Sequence, residues 1–228
     1  MVKKTVENTR DIIIVCEDSY GLDVYTIIQE INIAGVAKES PQYRVIGFLS
    51  EDNGILSRFK LPAPFFGSIS GWDCGLDAKY VLAIRIPEHK RYAAEMLKAR
   101  GAAFETIMAP WVQHPSEFEH GEGCIIANYN FKHKSKFGDF VTMDTCMCES
   151  VEIGNYSTLC PFVNITTASI GERVYIGSHA AIISGRKVED GATVYPGSIV
   201  MSNVKAGVVV AGVPSSRNLK KWEAMCNE

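Results

Sequence analysis

The stretch 170–200, IGERVYIGSHAAIISGRKVEDGATVYPGSIV, returns an aliphatic residue at every sixth position: Ile170, Ile176, Ile182, Val188, Val194 and Val200. A strand repeats its faces every 2 residues and a helix every 3.6, so neither element explains a period of six. A coil built from three short, flat strands does. One residue per side then points inward, and successive coils pair their backbones. The rhythm extends backwards in two earlier phases. Ile125, Phe131, Phe137 and Met143 form one phase, and Met147, Ile153, Leu159 and Ile165 form the next. The steps between phases are four residues at Met143–Met147 and five at Ile165–Ile170, and they predict local bulges. The fifth residue of a hexad is usually small or β-branched (Ser157, Val163, Ser169, Val174, Ala180, Ala192, Ser198, Val204), as a tight corner favours. Gly138, Gly154, Gly171 and Gly177 follow the inward residue. The second half of the chain is therefore expected to be a triangular parallel β-solenoid rather than a sandwich.

The first half alternates strand-like and helix-like runs. DIIIVC (11–16), YRVIGFL (43–49), KYVLAIRI (79–86) and AAFETIM (102–108) read as strands. LDVYTIIQEINIAGV (22–36) carries helical spacing, and PEHKRYAAEMLKARG opens on proline and closes on glycine, as helices do. Alternation of this kind implies a parallel α/β sheet, whose ligands sit at the carboxyl ends of the strands. That rule points to the loop 16–21 and to Ser50, Glu51 and Asp52. The tail SSRNLKKWEAMCNE (215–228) reads as a short amphipathic helix with Leu219 and Trp222 packed on the solenoid end.

Bulk properties narrow the function. The 228 residues carry a net charge of −3, which leaves no general basic footprint for nucleic acid. No apolar run has the length of a membrane span. The opening MVKKTVENTR lacks the apolar core of a signal peptide, so a cytoplasmic location is expected. The seven cysteines are then expected as thiols, with Cys146 and Cys148 in packing roles. A zinc site of the γ-carbonic anhydrase kind needs three converging histidines, and residues 125–205 hold only His133 and His179, so no metal is expected.

Four segments carry a family resemblance: VIGFLSEDN (45–53), FFGSIS (65–70), KFGDFVTMDT (136–145) and VVVAGVPSS (208–216). On these the chain resembles the hexapeptide-repeat sugar O/N-acetyltransferases of the sialic acid and bacillosamine type. The resemblance implies a Rossmann-like domain over 1–110, an all-β left-handed parallel β-helix over 111–214 and a homotrimer. It also implies acetyl-CoA as acyl donor and a sugar or nucleotide sugar as acceptor. It places substrate contacts at Ser19, Tyr20, Gly21, Glu51 and Asp52, and coenzyme contacts at Thr158, Thr166, Ser178, His179, Pro196, Ala211 and Gly212.

The chain departs from the family pattern in three places. The glycine-rich loop after the first strand reads CEDSYG (16–21), where Glu17 and Asp18 would repel a pyrophosphate. The catalytic histidine is replaced by Glu149, and a second histidine by Thr158. The junction histidine is missing from Met108–Ala109–Pro110–Trp111–Val112. Glu149 is the candidate substitute base, inward-facing if the first phase continues to it and outward if the second governs; a solvated surface carboxylate is the plain alternative. His133, among Lys132, Lys134 and Lys136, is a second candidate. The competing class is a non-catalytic trimeric scaffold that kept the fold and lost the base.

Overall fold

The computed structural model describes residues 9–36, 42–51, 58, 60–113, 118–127, 130–132 and 134–218. Two compact units are present. One comprises residues 1–84 and 92–110, the other residues 85–91 and 111–228.

The first unit is built on β1 (Thr9–Cys16), α1 (Tyr20–Val36), β2 (Gln42–Leu49), β3 (Phe65–Gly67), β4 (Lys79–Ala83), the part of α2 (Pro87–Lys98) from Tyr92 onward, and β5 (Ala103–Phe104); the start of α2 belongs to the second unit. The five strands form one parallel sheet in the order β3-β2-β1-β4-β5. The central β1 has Ile12, Ile13, Ile14 and Val15 fully buried, the uninterrupted β-branched run of a strand covered on both faces. α1 starts where the Asp18 carboxylate accepts the Tyr20 N–H at 2.8 Å, an N-cap. It is pinned to β2 by Asn32, which donates to Tyr43 O (2.7 Å) and accepts from Tyr43 N (2.8 Å). α2 opens on Pro87, whose missing N–H costs nothing there. It closes at Gly101 in the left-handed region (φ +84°). The expected strand 79–86 stops at Ala83 because Pro87 begins a helix. The expected strand 102–108 is broken into Ala103–Phe104 and Ile107–Met108, and the motif FFGSIS contributes the additional strand β3.

The second unit is a parallel β-helix with three sheets. Its inward columns follow from strand register. One runs Ile126, Met143, Leu159, Ile176, Val194, Val210. The second runs Cys148, Ile165, Ile182, Val200, with the backbone of Phe131 in register with Cys148. The third runs Phe137, Ile153, Ile170, Val188 and reaches Val204 by a bridge. From Ile170 to Val200 the six-residue step is unbroken, as the opening stretch demands. The earlier phases need correction by one residue. Ile126, not Ile125, stands in register with Met143, and Cys148, not Met147, fills the next inward slot. Met147 is 60% exposed and Cys148 only 3%. The supposed four-residue slip is a five-residue side.

The corners explain the small residues. Phe140, Tyr156, Arg173, Gly191 and Gly207 stack at one corner, Phe162, His179 and Gly197 at another, and Ser150, Thr167 and Gly185 at the third, all with positive φ. The turn at each corner needs the left-handed conformation, which glycine adopts freely and other residues adopt at a cost. Rings stack at two corners: Phe140 on Tyr156 (5.2 Å, 2°) and Phe162 on His179 (4.8 Å, 24°). The glycines after the inward residues answer a different need. A Cβ on Gly171 would lie 2.7 Å from Asp190 N, and one on Gly154 2.6 Å from the Gly171 carbonyl carbon. Coils approach too closely there for a side chain.

The final coil departs from expectation. Ser216–Asn218 pairs antiparallel with Val209–Ala211 as a strand, so the helix expected over 215–228 does not begin at Ser215. An extended segment can satisfy the open edge of the sheet that a helix would leave unpaired. Leu219, Trp222 and the rest of that tail lie outside the described residues. All six described cysteines with assigned environments are free thiols, and Cys146 and Cys148 are buried.

Candidate functional site

In the first unit the carboxyl ends of β1 and β2 carry the two loops named above. Cys16 is buried, and burial, with Asp18 and Glu17 adding to it, pushes its thiol up to about 12. It is a packing residue, not a nucleophile. Gly21 is fixed by that packing, since a Cβ would meet Cys16 Sγ at 2.6 Å. Tyr20 is buried, whereas Ser19 is exposed. Glu51, at the end of β2, accepts Ser70 N at 2.6 Å and the Ser70 hydroxyl at 3.2 Å. The Ser68–Trp72 turn is held by Arg100, which donates to Ile69 O and Trp72 O (both 2.7 Å) and to Ser70 O (3.0 Å). Phe66 and Trp72 stack beside it at 5.2 Å. The motif FFGSIS thus supplies Ser70 as a partner of Glu51, a role that spacing alone does not reveal. Asp52 lies outside the described residues.

In the second unit the corner at Phe162, His179 and Gly197 gathers most of the coenzyme residues. His179 N donates to Pro161 O (3.1 Å) and Gly197 N to Ser178 O (2.8 Å), so Ser178 and Pro196 step along the same edge. Gly212 N donates to Ser198 Oγ (3.2 Å), and Gly212 O receives Ile199 N (3.1 Å), which brings Ala211 and Gly212 to it. Gly197 has open space where a Cβ would be. The corner is lined by exposed, mostly small groups beside an exposed Phe162.

Glu149 ends the strand Met147–Glu149 and pairs in register with Thr166. Its inward neighbour is Cys148, so the Glu149 side chain lies on the outer face, partly exposed. The outward option is the one the fold adopts, through Cys148 rather than through a phase set by Met147. His133 is outside the described residues. Lys134 and Lys136 are exposed, and Lys136 pairs with Glu119 at 3.5 Å. His120 is on the surface, its Nδ1 2.8 Å from Gly121 O. Among the described residues no group of three or more His, Cys, Asp or Glu is placed to hold a metal ion.

No protein-family profile matches the chain. The structure is similar to PerB from Caulobacter crescentus, solved with CoA and GDP-perosamine, with a TM-score of 0.76 and 18% identity over 91% of this chain and 97% of that one. It is also similar to the acetyltransferase domain of PglB from Neisseria gonorrhoeae FA1090 in complex with acetyl coenzyme A, with a TM-score of 0.67 and 17% identity over 92% and 100%. The fold is that of the hexapeptide-repeat sugar N-acetyltransferases. In sequence, a 2,3,4,5-tetrahydropyridine-2,6-dicarboxylate N-acetyltransferase from Clostridium perfringens is 46% identical over 50 residues, 22% of this chain and 21% of the relative. The bifunctional protein GlmU of Cellvibrio japonicus is 29% identical over 120 residues, 52% of this chain and 25% of that protein. The chain thus spans a fifth to a quarter of the length of these curated relatives.

Within this acetyltransferase fold, one coenzyme expectation is displaced. Thr158 is fully buried, and its hydroxyl accepts Lys90 Nζ at 2.8 Å. It belongs to the outward row of its sheet, beneath the start of α2, and presents nothing to a surface ligand. Nothing in the sequence marks Lys90, because a lysine in a charged helical segment reads as solvated. A cavity of about 250 Å³ opens farther along the same row, lined by Pro87, Glu88, His89, Arg173, Tyr175 and Thr193 among others. Arg173 bridges Glu88 (3.1 Å) and Glu172 (3.3 Å) at its rim. Among the described residues no helix is long and apolar enough to cross a membrane.

Proposed function

We propose that the protein transfers an acetyl group from acetyl-CoA to an amino or hydroxyl group of a sugar or nucleotide sugar. The single observation carrying this is the correspondence of both units, over nine-tenths of the chain, with sugar N-acetyltransferases. The first unit is taken as a Rossmann-like substrate domain over 1–110, consistent with its parallel sheet in the order 3-2-1-4-5. The acceptor is placed at Ser19, Gly21, Glu51 and Asp52, where ligands of such sheets bind. Tyr20 contributes from the core by fixing the loop.

The β-helix over 111–214 is taken as the acyl-transfer domain. Acetyl-CoA is placed along Ser178, His179, Pro196, Ala211 and Gly212, reaching Thr166, with the exposed rings of Phe162 and His179 beside it. The acceptor nitrogen or oxygen attacks the thioester carbonyl. The new C–N or C–O bond forms, the C–S bond breaks, and the acceptor proton passes to a base while CoA leaves as thiolate. Glu149 is assigned as that base, with His133 the second candidate. The outer face that carries Met147, Ile183 and Met201 exposes large apolar side chains, which supports assembly as a homotrimer; a cytoplasmic location is part of the same proposal.

Thermal unfolding with acetyl-CoA and with free CoA tests the reading. A ligand at one hundred times its dissociation constant stabilises the native state by about 2.7 kcal/mol. A shift with both ligands, and consumption of acetyl-CoA only when an aminosugar or its nucleotide is added, are expected. No shift with either sinks the acyltransferase and leaves the scaffold.

A further inference from the structure

Lys90 is 1% exposed, and its amine lies among four oxygens of two successive coils. It is 2.8 Å from Thr142 Oγ1, 2.8 Å from Thr158 Oγ1, 3.1 Å from Phe140 O and 3.4 Å from Ser157 O. Thr142 and Thr158 are neighbours in register, so the amine bridges two rungs of one sheet. None of the four partners is a carboxylate. Other basic groups of this unit have one: Arg173 has Glu88, Lys136 has Glu119 and Lys205 has Glu189.

The remaining neighbours supply little counter-charge. Cys124 and Cys160 are the groups whose charge bears on Lys90, and burial raises both thiols, Cys124 to about 11. Cys160 donates to Tyr175 Oη at 3.2 Å, and Arg85 and Asp144 act on Cys160 with opposite sign. On the segment of Lys90 itself stand Arg85, Glu88, His89 and Arg91, with Glu88 held by Arg91 (3.0 Å) and Arg173. The partner set suits either protonation state. Carbonyl oxygens only accept, but a threonine hydroxyl can accept from an ammonium or donate to the lone pair of a neutral amine.

We propose that Lys90 is a proton-operated clasp: as a neutral amine it fastens Arg85–Arg91 to the outer face of the β-helix, and taking up one proton loosens that segment. Because Ile86, Pro87, Glu88 and His89 form one wall of the 250 Å³ cavity, the same proton controls how far that cavity opens. Burial, opposed only weakly by the two thiols, brings the amine from 10.5 down to about 7, within the range where cells change pH. The sign follows from linkage. Between pH about 7 and 10.5 the opened segment holds a proton that the closed one lacks, so closure strengthens as pH rises through that window. Below about 7 both states are protonated and the dependence vanishes. This inference is independent of the acyl-transfer reading.

The test is made on the full chain by NMR. Lys90 Cε is followed from pH 5 to 11, and exchange of the Lys90 amide, which donates to Ile86 O at 2.9 Å, is measured over the same range. After correction for intrinsic exchange, the opening constant is expected to fall by up to tenfold per pH unit above about 7.5. It should be flat in Lys90→Met. Lys90 Cε is expected to inflect near neutrality. A Cε inflection above pH 10 overturns the clasp, and that readout needs no variant. An equal slope in Lys90→Met overturns it as well.

Discussion

Glu149 owes its position to a cysteine. Cys148 behaves as a small hydrophobe and takes the inward slot, and the next residue must then face out. Met147 is the stronger hydrophobe by composition, so a reading of the rhythm prefers it and misplaces the side chain by one position. The chemistry at Glu149 can be checked directly. Glu149→Gln keeps size and shape but removes the proton acceptor. The expected loss is about 10²–10⁴-fold in kcat, the usual worth of general base catalysis, with KM for acetyl-CoA unchanged. Wild-type kcat in that variant would move the role to another group. The burial of Thr158 and Lys90 is a different case. Each looks polar and exposed in isolation, and in the fold they bond to each other, with Thr142, Phe140 O and Ser157 O completing the seat of the amine.

The corners and the close-packed glycines give two kinds of substitution that sequence cannot separate. Gly185 has φ +75° and open space where a Cβ would be, so Gly185→Ala meets only backbone strain, about 1–2 kcal/mol. Gly171 has an ordinary φ, but its added Cβ would collide with the Asp190 side chain and lie 2.7 Å from Asp190 N. Gly171→Ala must therefore push two coils apart. Urea unfolding should show Gly171→Ala as the more destabilised of the two; the reverse order would mean that coil spacing is not what fixes that glycine. The glycines at i+1 were visible in the repeat, and so was the need for small corner residues. What the repeat could not show was that Phe140, Tyr156, Phe162 and His179 also hold left-handed corners, because stacking of neighbouring rings offsets a local preference that would otherwise exclude them.

The proposed trimer is assigned to a single face. On the outer side of one sheet Met147 is 60% exposed, Ile183 44% and Met201 57%, large apolar side chains in two columns that also hold Asn164, Glu149 and Thr166. Light scattering should give a mass three times that of one chain. Ile183→Lys is expected to reduce it to one chain while circular dichroism is retained, and an unchanged mass would remove this face from the interface. The coil, its three sides and its period were readable in residues 170–200, because an inward aliphatic at every sixth position is a geometric necessity of stacked flat strands. The alternation of the first half likewise announced a parallel sheet. Three things needed the folded chain: the one-residue register at Cys148, the strand at Ser216–Asn218, and the seat of Lys90. Each depends on a partner far away in sequence, on Phe131 and Ile165, on Val209–Ala211, and on Thr142 and Thr158. Periodicity records what a residue repeats with, whereas register, edge pairing and a buried amine are settled by which distant groups are left to satisfy.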